Sequence, residues 1–286
     1  MSRRVSAVAL VILGGIWCLT AGLAASSDRF EAQAPAAAAP AAVRAPLSDA
    51  EIEEFLLKGQ VIRTKGVKKG TTGTTRVTMT VGDFTHDGQI QTIDVSKREF
   101  RTDRGVEFNF RDSWMFNVAA YKIDRLIGLN LVPPSVARTY KGTHGAFTWW
   151  IDDIKMDEAD RFKEKLTPPD LEKWNQQMQL VRLFDQLIAN VDRNLTNLLI
   201  GNDWSVWAID HTRAFRTQTN LKTPGNIARC DRQVFAKLKQ LDKTTIKEAV
   251  GEQLQTYEID AVIKRRDLIV AIIEQKGDAG LFDRKQ

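Results

Sequence analysis

Read for the spacing of apolar and polar residues, the chain divides into an apolar leader, an aperiodic stretch, a strand-rich part and a helix-rich part. Arg3 and Arg4 precede an almost unbroken apolar run from Val5 that closes on Gly22-Leu23-Ala24-Ala25. That pattern over 1–25 reads as a signal peptide or a single membrane anchor, since about 20 apolar residues serve for either. Residues 26–46 are rich in alanine and proline, lack apolar periodicity and read as a disordered tether. Ser48 and Glu51 have the spacing of a capping box, which opens a short helix with Phe55 and Leu56 on its apolar face. Strand-like segments follow at 61–64 and 74–81, joined by K-G-V-K-K-G-T-T-G, and alternation recurs over 90–95. Val132-Pro133-Pro134 reads as extended chain leading into a strand, and 142–151 as a hairpin. Helical spacing predicts helices over 112–129, 171–190, 231–240, 244–254 and 259–275, with 157–169 a polar connection.

Composition narrows the function classes. A chain of 286 residues holds one domain of about 200–250 residues, or two small lobes sharing a cleft. The formal charge of +5 admits an anionic ligand, but no Lys/Arg run is interleaved with aromatics, so nucleic acid is not an expected partner. Of the two cysteines, Cys18 lies in the leader and Cys230 near the start of a predicted helix, which excludes a disulfide framework or a cysteine-based metal site. His86 and His144 sit in turn-like contexts with no second metal ligand spaced beside them.

The candidate chemistry is concentrated between Phe184 and Phe215. The predicted helix ends at Asn190, a polar turn carries Asp192, Asn194 and Asn197, Leu198-Leu199-Ile200 reads as a strand, and 204–209 as a second strand delivering Asp210. Phosphoryl transfer needs such a set: a carboxylate to position the attacking hydroxyl and take its proton, and a carboxamide with a second carboxylate to hold a divalent cation against the phosphates. Asp followed by Asn five residues later, with another Asp on the next hairpin, is the spacing of the protein-kinase loop. Asp and Asn also mark ordinary turns after helices, so the set of three carries the reading rather than any one of them.

The run D-R-N-x-x-N-L-L-I, a strand, then I-D-H-x-x-A-F resembles the atypical kinases: the phosphatidylinositol 3- and 4-kinase superfamily, the HipA-type toxin kinases and the secretory-pathway casein kinases of the Golgi. The resemblance implies an α+β, protein-kinase-like two-lobed fold. Its small β-rich N-lobe would span about 60–151 and its mainly helical C-lobe about 152–275, within a domain of 47–286. It implies Asp192 as the catalytic residue, Asn197 and Asp210 as ligands of Mg²⁺ or Mn²⁺, and ATP or GTP as phosphate donor. The loop Lys69, Gly70, Thr71, Thr72 and Gly73 would cover the phosphates. Trp150 and Ile151, where the chain crosses between lobes, would line the adenine, although both Trp149 and Trp150 also suit core packing. A lysine normally pairs the phosphates from the third strand; here that position holds Gln91, so Lys65, Lys68, Lys69 or Lys97 reaches in or catalysis is weak.

Around these residues, Asp112 and Glu107 are the nearest acidic residues to the helix that would hold the strand lysine. Asp185 is expected either to cap the catalytic turn or to anchor Arg193, and Asn194 stands where many relatives have His. His211 would orient a phosphate or bond the backbone, and Arg265-Arg266-Asp267 would form a surface or inter-helix ion-pair cluster. The expected activity is transfer of a γ-phosphate to a hydroxyl on a protein, lipid or small molecule. The alternative is a pseudokinase serving as a nucleotide-binding or scaffold domain. The leader predicts an exported or membrane-anchored protein of the bacterial periplasm or cell envelope, attached, if the leader is retained, through residues 5–25.

Overall fold

A computed structural model of the chain describes residues 46–66, 74–102 and 105–285. The leader, the tether up to residue 45, Lys68 and the phosphate-covering residues Lys69, Gly70, Thr71, Thr72 and Gly73 lie outside the described residues. From Pro46 onward the chain forms one unit.

Helix α1 (Asp49–Lys58) begins at the predicted capping box, with the Ser48 N–H donating to the Glu51 carboxylate at 2.8 Å. In chain order there follow β1 (Gln60–Gly66), β2 (Thr75–Val81), β3 (Phe84–Gln91), β4 (Asp94–Thr102), β5 (Gly105–Ser113), α2 (Met115–Ile127), β6 (Ser135–Tyr140) and β7 (Thr143–Trp149). Five of these strands make an antiparallel sheet of order β1-β2-β3-β7-β6. Phe55 and Leu56 of α1 pack with Val77, Met79, Ile90 and Phe147 of that sheet to form its core. Strands β4 and β5 stand apart as a hairpin.

This hairpin corrects the sequence reading in two places. The alternation over 90–95 spans two strands, β3 ending at Gln91 and β4 starting at Asp94, because periodicity is blind to a break in register. The helix expected from residue 112 begins at Met115, since 105–113 is paired as β5. A charged run such as K-R-E-F-R lacks the apolar alternation that would reveal a strand. Helix α2 ends at Gly128, whose φ of 70° is the left-handed geometry that closes helices on glycine. The fully buried Asp124 then holds the extended Pro-Pro connection by accepting the N–H groups of Leu131 at 2.8 Å and Val132 at 3.1 Å.

The second lobe contains β8 (Ile154–Asp157), α3 (Glu158–Lys163), α4 (Leu171–Leu187), β9 (Leu198–Gly201) and β10 (Val206–Ala208). It continues through β11 (Cys230–Asp231), α5 (Arg232–Gln240), α6 (Lys243–Val250), α7 (Thr256–Lys276) and β12 (Leu281–Phe282). The polar connection expected over 157–169 thus carries α3. The strand expected over 204–209 contracts to β10, in a sheet of order β10-β9-β8. One apolar core joins Phe116 and Ile123 of α2 to Leu183 and Phe184 of α4, Leu238 of α5, Ile246 of α6 and Val262 of α7. Helix α2 therefore belongs to the larger core while touching the cleft side of the sheet.

Arg265 is also corrected: it is fully buried rather than part of a surface cluster. It donates to the carbonyls of Leu187 at 2.8 Å and Arg216 at 2.9 Å, while Arg266 pairs with Asp267 at 2.9 Å. Desolvation lowers the Arg265 guanidinium to about 10, and its carbonyl clamp ties α7 to the end of α4.

Candidate active site

The turn between α4 and β9 is built around one guanidinium. Helix α4 stops at Leu187 because Ala189 adopts a φ of 46°, turning the chain sharply towards Asp192. Arg193, two steps beyond Val191, folds back onto Asp185 of α4, with Nε 3.1 Å from Oδ2 and Nη2 3.1 Å from Oδ1. Its Nη1 donates to the carbonyls of Asn197 at 3.0 Å and Ile209 at 2.8 Å. Its Nη2 meets the His211 ring nitrogen Nε2 at 2.9 Å. Asp185 meanwhile accepts the Asn190 side chain at 3.2 Å, and Asn190 Oδ1 accepts the Asp192 N–H at 3.1 Å. Asp185 thus does both things open to it from the sequence, bracing the turn and anchoring Arg193.

The consequence is positional. Arg193 grips the carbonyl of Asn197 and the carbonyl just before Asp210, and the Ile209 N–H donates to the Asn197 carbonyl at 3.0 Å. The two residues expected to hold a cation are therefore fastened to each other through main chain. Asp210 itself has a φ of 56°, a left-handed conformation costly for a non-glycine residue and sustained only by surroundings that over-determine it.

A cavity of about 370 Å³ lies between the five-stranded sheet and this turn. Gln91, Trp150, Ile151, Asn197 and Asp210 line it together, with Thr74 at the edge of the loop that joins β1 to β2. Trp149 also lines it, stacked at 3.5 Å on His86, whose Nε2 meets Asp152 Oδ2 at 2.7 Å. His86 is therefore a strand residue clamping β3 to the crossover between lobes, not a turn residue. Among the described residues, no lysine lines the cavity: Lys97 stands 4.8 Å over the Phe100 ring, and Lys65 lines a separate groove with Arg63 and Arg76. Nor do any three His, Cys, Asp or Glu side chains among the described residues cluster as a metal cage.

Asp192 does not line that cavity and is exposed. Partial desolvation raises its carboxyl above the usual range, Arg213 opposes the rise, and the Asp210 carboxylate adds to it. Asp112, at the end of β5, is raised likewise, first by burial and then by the carboxylates of Asp210 and Asp192, against the pull of Thr212 and Arg213. One of its oxygens, Oδ1, is buried without a partner. These three carboxylates feel one another, so the turn, the second hairpin and β5 converge on one place.

Other expectations are relocated. His211 is buried and held neutral, first by burial and then by the Arg193 charge, so it faces Arg193 rather than a phosphate. Asn194 caps the following turn by accepting the Thr196 N–H at 3.0 Å and is exposed. Glu107 pairs with Arg213 and Arg216, away from Gln91. From α2 it is Asn117 that meets Gln91, a contact sequence reasoning missed. Its signal was a single amide inside the otherwise apolar run W-M-F-N-V-A-A.

Comparison with known proteins gives the fold a context. No family model and no curated protein matches the chain. A structure of hydra Fam20 with sugar superposes with a TM-score of 0.62 at 12% identity, covering 83% of this chain and 93% of that one. The Golgi casein kinase gives 0.57 at 14% identity over 81% of this chain and 77% of that one. The same kinase with Mn/ADP bound gives 0.55 at 14% identity, over 82% and 78%. At these identities the likeness is one of fold: the chain shares an α+β two-lobed, kinase-like architecture with these solved structures.

Proposed function

We propose that the chain is a phosphotransferase that moves the γ-phosphate of ATP or GTP to a hydroxyl-bearing acceptor. The observation that carries this reading is that Asn197 and Asp210, locked together by Arg193, face one cavity, with the Asp192 carboxylate near enough to Asp210 for the two to repel. A carboxylate and a carboxamide are hard oxygen donors of the kind Mg²⁺ and Mn²⁺ take, with phosphate oxygens completing the shell. When bound, the cation would neutralise charge on the transferred phosphoryl group. Fold likeness to a kinase solved with Mn/ADP supports this choice of ligands.

The chain's own residues supply the rest. Trp150 and Ile151 offer an apolar wall for the base, and Gln91 a neutral donor towards the phosphates. Asp192 orients the acceptor hydroxyl and takes its proton as the new O–P bond forms and the β,γ-bridging bond breaks, releasing nucleoside diphosphate. Export or anchoring in the cell envelope, read from the leader, belongs to the same proposal.

Gln91 favours a second reading. Its amide supplies no charge to offset the phosphates, as a nucleotide-binding scaffold without transferase activity would permit. The test for both is thermal shift of the full chain with nucleotide and Mn²⁺ or Mg²⁺, repeated for Asp210→Ala. A metal-dependent shift in the wild type alone is expected, and equal shifts in both would remove Asp210 from the site. Transfer of γ-phosphate label to an acceptor then separates enzyme from scaffold.

A further inference from the structure

Where a lysine and an acid would couple the cleft strand to its neighbouring helix, this chain has two amides, Gln91 and Asn117, both buried. Amide orientation is ordinarily ambiguous, because oxygen and nitrogen look alike. Here both ends of the chain of contacts are chemically unambiguous. The His211 main-chain N–H can only donate, and it meets Asn117 Oδ1 at 2.7 Å. That commits Asn117 Nδ2 as donor to Gln91 Oε1. Gln91 Nε2 is thereby left facing Asp210 Oδ1, an obligate acceptor, at 3.4 Å.

We propose that Asn117 is a positioning residue whose amide polarity aims the Gln91 N–H group at Asp210 and at the phosphates beside it. The relay starts at residue 211 and returns to residue 210, so it also ties the left-handed Asp210 main chain to α2. Gly145 admits this packing, since a Cβ there would stand 2.7 Å from the Gln91 carbonyl oxygen. The long last contact leaves the Nε2 group room to shift from Asp210 to a phosphate oxygen, a common feature of sites whose bonds tighten only on ligand binding. A dipole set by its neighbour thus stands in for a charge.

The inference rests on the proposed nucleotide site, and the test separates the two. Asn117→Asp conserves size and still accepts from His211, but it cannot donate to Gln91. The Gln91 amide must then invert and present its oxygen to Asp210. Isothermal titration of the full chain with Mn²⁺ and a non-hydrolysable ATP analogue should show affinity about 10- to 100-fold weaker in Asn117→Asp, the worth of a charge-assisted hydrogen bond. Adding Gln91→Lys to that variant rebuilds an ion pair and should restore most of the affinity. Unchanged affinity in Asn117→Asp, or a double variant no better than the single, overturns the relay. If the wild type binds no analogue, the proposed function fails, and the relay is read from ligand-free melting instead. There Asn117→Asp and Gln91→Lys should each lower the melting temperature and the pair recover it; purely additive losses overturn the relay.

Discussion

Replacing Arg193 with methionine keeps most of the side-chain volume and removes the charge on which the turn between α4 and β9 is assembled. Asp185 would lose a guanidinium held at 3.1 Å by two of its nitrogens. The carbonyls of Asn197 and Ile209 would lose donors at 3.0 Å and 2.8 Å. Breaking a largely buried pair from one side costs about 3–5 kcal/mol. Each carbonyl contact adds about 1 kcal/mol, not fully additive within one network. A loss of about 4 kcal/mol is therefore expected in urea unfolding at pH 7, followed by tryptophan fluorescence. The deficit should shrink on acidification. Without its partner, the Asp185 carboxyl has a folded-state pKa above its unfolded value, so the penalty exists above that folded pKa and lifts as pH falls through it. The double variant Asp185→Leu with Arg193→Met removes the stranded carboxylate and should recover most of the stability, yet remain impaired in metal–nucleotide binding because Asn197 and Ile209 are still unpinned. A loss below about 1 kcal/mol for Arg193→Met, or a double variant no more stable than the single, would refute the assignment of Arg193 as the brace of this turn.

Three further outcomes follow from the carboxylates. Asp192→Asn should leave metal–nucleotide binding intact while lowering transfer about 10²- to 10⁴-fold, measured by γ-phosphate label incorporation. The wild-type rate should fall on acidification at a pH above that of an ordinary carboxylate, because the Asp192 carboxyl is raised and must be ionised to take a proton. Asp112→Asn should raise the melting temperature at neutral pH. Asp112 is an acid with a raised folded pKa, so its ionised form is a cost present above that pKa and absent below it. The gain should therefore vanish in acid, and a gain that persists there would assign it to packing instead.

Local signals were legible along the chain. Ser48 and Glu51 announced the start of α1 within one turn, and the order of Asp192, Asn197 and Asp210 around two short strands was readable from apolar runs separated by turn residues. The β4–β5 hairpin was not legible, because its charged strands bury too little to show alternation. Arg265 was misplaced for the converse reason: a charge reads as surface unless one can see the three carbonyls that receive it.

By itself, the order of residues determined the elements and the chemical groups within one turn of each other, since helix spacing, caps and turn chemistry act over a handful of positions. Which groups meet across the cleft was decided only when the lobes packed. Asn117 is 26 residues from Gln91 and 94 from His211, and Asp210 is 119 from Gln91. No local preference joins positions so far apart. Their meeting follows from α2 burying its apolar face against α5 and α6, which turns its one interior amide towards β3 and the residue after Asp210.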